Sequence, residues 1–574
     1  MKPFFLRILS SLDVRSTLSP AEGNVEKYAP LIFLIGILLL CSVPFLNKAY
    51  SIDDPLFLWS AKHIQDAPLD PYGFNVNWYS REMPMSFVTK NPPLACYYIA
   101  AAASLFGWDE AAVHAVFLLP AIAVAIGMYL FAQRYCHHPL IASLAAILTP
   151  VFLISSLTIM CDVLMLAFWI FAVYFWIQGL EKKSPAFLVL AGLLITCAAL
   201  TKYFGIMLIP FLFFYTLCRE RHFGYPLLIF LLPVIFLAVY HWKTESLYGR
   251  GLLNDAAQYA MNQNSLLSNF KVSKIFVNFA FVGGCLASLL FFAINLWSRK
   301  VVLAGLMIVA VGTYYLSQAN ILFSFPLSST ATDHVLFFLQ FCIWIPVGIS
   351  LVVLAIQDLF YHRDADTIFL FLWMIGTFVF SGFINWTING RSILPMIIPT
   401  GILITREFER QINLKKPQKS YSGIIPLVLT AILTISVTWA DYGFANTARS
   451  AAENICEKYS DDKNVIWFQG HWGYQYYMEQ HGARSIDVSH VQFKRGDIIA
   501  DPTTNTNMIP IPRKWVTVMD TLQLRSSQYA ATMDFVLGAG FYADVFGPLP
   551  FVFGFVRPEK YIIYNFISSL PSKQ

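Results

Sequence analysis

Ser51-Ile52-Asp53-Asp54-Pro55 stands ten residues beyond the apolar run Leu31-Ile32-Phe33-Leu34-Ile35-Gly36-Ile37-Leu38-Leu39-Leu40. That run lies in a stretch, 28–46, of the length a bilayer crossing needs, about 20 mostly apolar residues. Cys41 follows Leu40 rather than a small residue, so the stretch reads as an uncleaved first span. The chain therefore leaves a membrane helix straight onto two adjacent carboxylates.

Outward from this point the apolar pattern recurs. Further stretches at 110–132, 139–157, 162–180, 185–200, 204–218, 225–242, 272–296, 301–317, 334–358, 367–385, 392–405 and 421–439 predict about thirteen spans in all. Composition agrees. Of 574 residues, 57% are hydrophobic, 16% aromatic and only 13% charged, whereas a soluble domain carries about a quarter charged residues. The mean hydropathy is +0.58. This composition excludes a soluble enzyme, a disordered chain and a nucleic-acid binder, and the net charge of +5 is small and not clustered as a nucleic-acid footprint would be. The nine cysteines are scattered without a CxxC pair or metal-like Cys/His spacing, and no metal or other cofactor is expected.

Basic residues orient the spans. Lys2, Arg7, Arg15, Lys27, Arg134, Lys182, Lys183, Arg219, Arg221, Arg299, Lys300, Arg363, Arg406, Arg410, Lys415, Lys416 and Lys419 all fall on one side, read as cytoplasmic with the N-terminus. The short loops opposite, near 158–161, 201–203, 318–333 and 386–391, carry only Lys202 and Arg391. Two regions lie outside the membrane: a long loop at about 47–109, and residues 441–574, where strand-like runs such as Asn464-Val465-Ile466-Trp467-Phe468 appear. The expected fold is an all-α polytopic membrane protein with interfacial helices in the first external loop (domain 1–440), followed by a small C-terminal α/β external domain (441–574).

The charges that topology leaves over are few. Asp54-Pro55 suits a helix start, with Leu56, Phe57, Trp59, Ala61 and Ile64 forming its apolar face in the membrane interface. Asp53 and Asp54 suit a general base at a low-dielectric edge; alternatively Asp54 caps the helix and Asp53 is solvated. Lys90-Asn91-Pro92-Pro93-Leu94 makes an extended turn into the next helix, and Lys90 either faces a phosphate or belongs to a plain corner. Asp162 opens the fourth span, as a cap or as a second carboxylate at the same site. Lys202, in Lys202-Tyr203-Phe204-Gly205, and Arg391 either snorkel or bind an anion. The aromatics from Trp467 to Tyr477 either stack on sugar rings or fill a core. Cys96 and Cys456, both external, could form a bridge.

Order, spacing and shared side give this set a resemblance to the GT-C superfamily of polytopic glycosyltransferases. It is similar to the branch of dolichyl-phosphate-mannose protein mannosyltransferases and bacterial aminoarabinose transferases. That branch has an acidic pair after the first span (Asp53-Asp54), a Lys-Pro-Pro-Leu-like segment (Lys90 to Leu94), an external acid (Asp162), a Lys-Tyr-Phe-Gly-like motif (Lys202 to Gly205) and a late Arg before Leu-Pro (Arg391, Leu394-Pro395). The resemblance implies transfer of a hexosyl or pentosyl group from a polyprenyl-phosphate donor to an acceptor hydroxyl on a lipid, glycan or protein, with inversion. Asp53, Asp54 and Asp162 are then catalytic: Asp53 is the base and Asp162 orients the acceptor or a cation. Lys90, Lys202 and Arg391 hold the donor phosphate. Membrane lipids are partners and nucleic acid is not. A bacterial inner membrane with a periplasmic C-terminal domain is expected. A transporter or flippase would place its charges near the midplane, whereas these gather at one surface; a glycan polymerase or ligase of another fold is the other rival.

Overall fold

Runs of leucine, isoleucine and phenylalanine leave a helix without a polar face, and such helices bury against one another or face lipid. In the computed structural model, which describes residues 24–266, 271–319, 331–414, 423–460, 464–490 and 493–568, they form a helical bundle. Among the described residues nine helices are long and apolar enough to cross a bilayer: Tyr28–Phe45, Glu110–Tyr135, Cys161–Glu181, Tyr203–Glu220, Tyr225–Tyr248, Arg299–Leu316, His334–His362, Ala365–Ile384 and Ile424–Tyr459. Two bent pairs, Pro139–Ile147 with Pro150–Ser156 at 66° and Lys274–Cys285 with Ser288–Leu296 at 86°, bring the number to 11 if each is one span. The expected spans 185–200 and 392–405 appear as the shorter helix Pro185–Thr201 and as the segments Gly390–Ile393, Leu394–Met396 and Ile397–Leu414. The chain is a multi-pass integral membrane protein.

The elements around the site are α1 (Asn24–Ser42), α2 (Asp54–Asp66), α3 (Glu110–Tyr135), α4 (Cys161–Glu181), α5 (Pro185–Thr201), α6 (Ile424–Tyr459) and α7 (Trp472–Gln480). Between α2 and α3 a hairpin pairs β1 (Asn75–Asn77) with β2 (Glu82–Pro84). The C-terminal part carries a five-stranded sheet of β3 (Ile466–Phe468), β4 (Arg484–Ser485), β5 (Ile498–Pro502), β6 (Val516–Leu524) and β7 (Glu559–Phe566). Its order is β4-β3-β5-β7-β6, with β3 parallel to β4 and β5, and β7 antiparallel to β5 and β6. The sheet and α7 match the expected α/β composition. Residue 440, where the two domains were expected to meet, falls inside the unbroken 36-residue helix α6.

Phe468, Tyr474, Tyr476 and Tyr477 are buried, so they fill the core between α7 and its surroundings. Cys96 and Cys456 are both free and buried, and no bridge joins them. Of the basic residues assigned to one side, Arg134 and Arg219 meet around Glu181 and Asp366. Arg134 pairs with Glu181 and, at 2.8 Å, with Asp366; Arg219 meets Glu181 at 3.2 Å; Arg406 meets Asp358 at 2.8 Å. Glu181 closes α4 and Asp162 lies in its first turn, so about 28 Å of helix separates these pairs from Asp162. Lys2, Arg7, Arg15, Lys415, Lys416, Lys419 and most of the loop 318–333 lie outside the described residues.

Candidate active site

The chain emerges from α1 and makes a tight turn through Ile52, whose φ of 52° is left-handed. A β-branched residue adopts that conformation only where its surroundings hold it there, and such outliers gather at functional sites. Three contacts hold this one. The Tyr50 N–H donates to the Tyr477 hydroxyl at 2.8 Å, and the Ala49 N–H donates to Asn446 Oδ1 at 3.0 Å. Gly473 packs so closely that a Cβ there would collide with the Tyr50 carbonyl.

The turn sends Asp53 and Asp54 opposite ways. Asp54 is fully buried. Its Oδ2 accepts the Ser51 N–H at 2.9 Å, and its Oδ1 accepts the Ile159 N–H at 3.1 Å. It therefore ties the first loop to the turn that presents Asp162, and it does not cap its own helix. Burial pushes its carboxyl up to about 7, although the nearby Lys48 and the two N–H donors pull the other way. Asp53, with 34% of its side chain exposed, opens outward.

Four of the expected residues form one chain of charges. Lys202 Nζ meets Asp162 Oδ1 at 2.5 Å, Arg391 Nη1 lies 4.0 Å from Asp162 Oδ2, and Arg391 Nη2 donates to Asp53 Oδ2 at 3.1 Å. Asp162 is almost wholly buried in the first turn of α4, where the helix N-terminus favours a carboxylate. Lys202 follows α5, and Gly205 allows the next turn to sit on the Ala198–Ala199 backbone without a clash. Lys90 stands apart: its Nζ pairs with Asp255 at 2.6 Å and donates to the Phe87 carbonyl. Burial and the Arg250 guanidinium push it down to about 8.

Sequence reasoning missed what holds Arg391. The Gly390 N–H donates to the Phe541 carbonyl at 2.8 Å, and Asp544 accepts from the Thr387 hydroxyl at 2.5 Å and the Ile388 N–H at 3.1 Å. The Arg391 guanidinium lies 5.7 Å from the Tyr542 ring centre. The Tyr542 hydroxyl donates to Asp441, whose other donors are Lys48 at 2.6 Å and the Thr532 hydroxyl at 2.8 Å. The C-terminal part thus braces the arginine. The available signal was Asp441, an acid just past the apolar stretch 421–439. Among the described residues no group of three or more His, Cys, Asp or Glu could hold a metal ion.

The protonation of Asp54 predicts a pH effect on stability. The folded chain holds this proton up to about 7, while the unfolded chain releases it near 3.8. Its contribution is present at acid pH and falls as pH rises from about 4 through about 7. Melting curves at pH 5 and pH 8 should show a decline in the wild type that is smaller in Asp54→Asn. The variant is less stable throughout, because its amide nitrogen faces one of the two N–H donors. Equal declines would contradict the account.

Residues 90–242 match the family model of the dolichyl-phosphate-mannose-protein mannosyltransferases, a stretch that holds Lys90, Asp162 and Lys202. No curated protein sequence matches the chain. Among solved structures, the Archaeoglobus fulgidus oligosaccharyltransferase tethered with an acceptor peptide aligns at a TM-score of 0.46 with 16% identity, over 80% of this chain and 64% of that one. The chain thus spans less than two thirds of that protein's length. ArnT from Cupriavidus metallidurans bound to undecaprenyl phosphate aligns at 0.40 with 13% identity, over 83% of this chain and 93% of that one. Over residues 90–242 the chain thus resembles the dolichyl-phosphate-mannose-protein mannosyltransferases.

Proposed function

We propose that the protein is a membrane glycosyltransferase that moves a sugar from a polyprenyl-phosphate donor to an acceptor hydroxyl. The observation that carries this reading is the chain Lys202–Asp162–Arg391–Asp53, which ends on a partly exposed carboxylate. The family match over residues 90–242 supports the donor class. Asp53 takes the proton of the attacking hydroxyl as the new glycosidic bond forms and the bond from anomeric carbon to phosphate oxygen breaks. One displacement inverts the anomeric centre. The leaving polyprenyl phosphate needs positive charge and no general acid. Arg391 supplies it by turning from Asp53 to the phosphate, which also frees the base; Lys202 adds a second charge. Asp162 holds both cations in place, and Asp54 positions the loop. Lys90, engaged by Asp255, stands outside this chain of charges. The sugar is a hexose or pentose, and the acceptor a lipid, glycan or protein. The setting is a bacterial inner membrane, with the N-terminus cytoplasmic and the C-terminal part periplasmic.

Mass spectrometry of envelope glycans from cells with and without the gene tests the reading: a saccharide unit should disappear with the gene, and unchanged glycans would overturn it. In the purified chain, Arg391→Ala should lower kcat/KM about 100-fold, the usual loss of one transition-state donor. Arg391→Lys should recover little, because a point charge cannot reach both Asp53 and Asp162. Turnover with a polyprenyl-phosphate sugar measures both, and full activity of either variant would refute the role.

A further inference from the structure

Gly470-His471-Trp472-Gly473 turns the chain from β3 into α7. Gly470 has a φ of 88°, which glycine takes freely, but Trp472 has one of 63°. For a bulky side chain that left-handed value is a true outlier. It costs free energy and persists only where the surroundings hold it. Asn505, beyond the end of β5, holds the corner from both sides. Its Oδ1 accepts the His471 N–H at 2.7 Å, and its Nδ2 donates to the His471 carbonyl at 3.2 Å. The Trp472 ring is buried against Phe546, 5.3 Å between ring centres.

A corner between a strand and a helix needs no such strain, and a glycine at 472 would take the same backbone without it. What the residue joins accounts for it. Next to it, Gly473 abuts the Tyr50 carbonyl and the Ser51 Cα, so the corner lies directly against the turn that presents Asp53. That turn carries its own left-handed residue, Ile52. On the other side, Phe546 belongs to a tight turn with Asp544. The Phe546 N–H donates to the Ala543 carbonyl at 3.1 Å, and the Gly547 N–H donates to the Asp544 carbonyl at 3.2 Å. Asp544 grips the approach to Arg391, accepting from Thr387 and Ile388 and donating its own N–H to the Ile388 carbonyl at 2.9 Å. One path of contacts therefore runs from the Asp53 turn through Gly473, Trp472, Phe546 and Asp544 to the Arg391 loop. Its ends meet at 3.1 Å between Arg391 Nη2 and Asp53 Oδ2, in residues 338 apart in sequence.

We propose that Trp472 and Gly473 are positioning residues: the strained corner of the C-terminal part fixes the Asp53 carboxylate against the Arg391 guanidinium. The role rests on the transferase reading, in which Asp53 is the base and Arg391 receives the phosphate. Attack and departure occur at one anomeric carbon, so base and cation must keep a set separation, and a displacement of about 1 Å costs about 100-fold in rate. Relaxing Trp472 to an ordinary φ would reorient Gly473 and remove the surface on which Tyr50 and Ser51 rest.

The test complements cells lacking the gene with variants at matched membrane levels and follows, by mass spectrometry, the initial rate at which the missing saccharide unit reappears. Gly473→Ala should lower that rate about 100-fold. Asn505→Ala removes both bonds to His471, leaves Gly473 in place and should cost about tenfold, a lesser displacement on the same scale. Trp472→Phe, which keeps a ring against Phe546, should retain more of the rate than Trp472→Leu. The decisive comparison is a cycle with Asp53→Asn. An amide takes no proton wherever it sits, so Asn505→Ala should cost nothing further in that background, whereas a general loss of structure would cost the same in both. Titration of the purified chain in nanodiscs with undecaprenyl phosphate should give Asn505→Ala an affinity within about twofold of the wild type. Wild-type rates in both Gly473→Ala and Asn505→Ala, an equal fractional loss in the Asp53→Asn background, or a fall in affinity as large as the fall in rate would each overturn the inference. Unchanged glycans on deletion of the gene, or a wild-type rate in Asp53→Asn, would instead overturn the transferase reading on which it rests.

Discussion

Asp53→Asn should abolish sugar transfer while leaving the folded protein intact. The amide is nearly isosteric with the carboxylate, and its oxygen can still accept from Arg391 Nη2, so the turn at Ile52 and the pairing geometry survive. What is lost is the ability to take a proton. General-base catalysis contributes about 10²–10⁴-fold, and the variant should fall by that factor with an unchanged melting curve. Asp53→Glu should retain more activity than Asp53→Asn, because it keeps the proton acceptor and only displaces it. Turnover assays on purified variants, alongside thermal unfolding, separate the outcomes. Substantial turnover by Asp53→Asn would remove Asp53 from the mechanism and leave the charge chain as an architectural network.

The second large effect concerns stability. Lys48 and Asp441 are 1% and 2% exposed, and they meet at 2.6 Å across 393 residues of sequence. Lys48→Ala strands a buried carboxylate, whose remaining donors are the Thr532 and Tyr542 hydroxyls. Removing one partner of a buried pair costs about 3–5 kcal/mol, because the desolvated charge left behind is uncompensated. The double variant Lys48→Met with Asp441→Asn removes both charges and keeps an acceptor for the hydroxyls, so it should be more stable than Lys48→Ala. Unfolding in detergent measures the difference. A loss below about 1 kcal/mol in the single variant would mean that water reaches the pair. Since Tyr542 also stacks on Arg391, Lys48→Ala should lower activity as well.

The polytopic fold was legible because a membrane span announces itself through composition. Asp53, Asp162, Lys202 and Arg391 were legible for a related reason: in a chain so poor in charge, the ones that topology does not require stand out. Bends were not legible, since apolar content says nothing of the 66° turn between Ile147 and Pro150 or the 86° turn between Cys285 and Ser288. Lys48 escaped notice because a lysine in a loop is ordinary, and its partner lies near the far end of the chain. The opposite directions of Asp53 and Asp54 depend on one left-handed residue, Ile52, which the neighbouring residues do not encode. Nor did a boundary drawn at residue 440 suggest that Phe541 and Asp544 would grip the backbone around Arg391.

The uninterrupted length of α6 sets the height of the Lys48–Asp441 pair. Thirty-six residues make about 54 Å of helix, and a hydrocarbon core is about 30 Å thick. Asp441 stands about 26 Å above the start of α6, so the Lys48–Asp441 pair is moored near the boundary between acyl chains and head groups. A thicker bilayer would draw this pair, and with it Asp53, below the waterline; a thinner one would lift it clear of a substrate whose tail stays in the leaflet. If the proposed transferase reading holds, turnover should depend on the acyl length of the surrounding lipids.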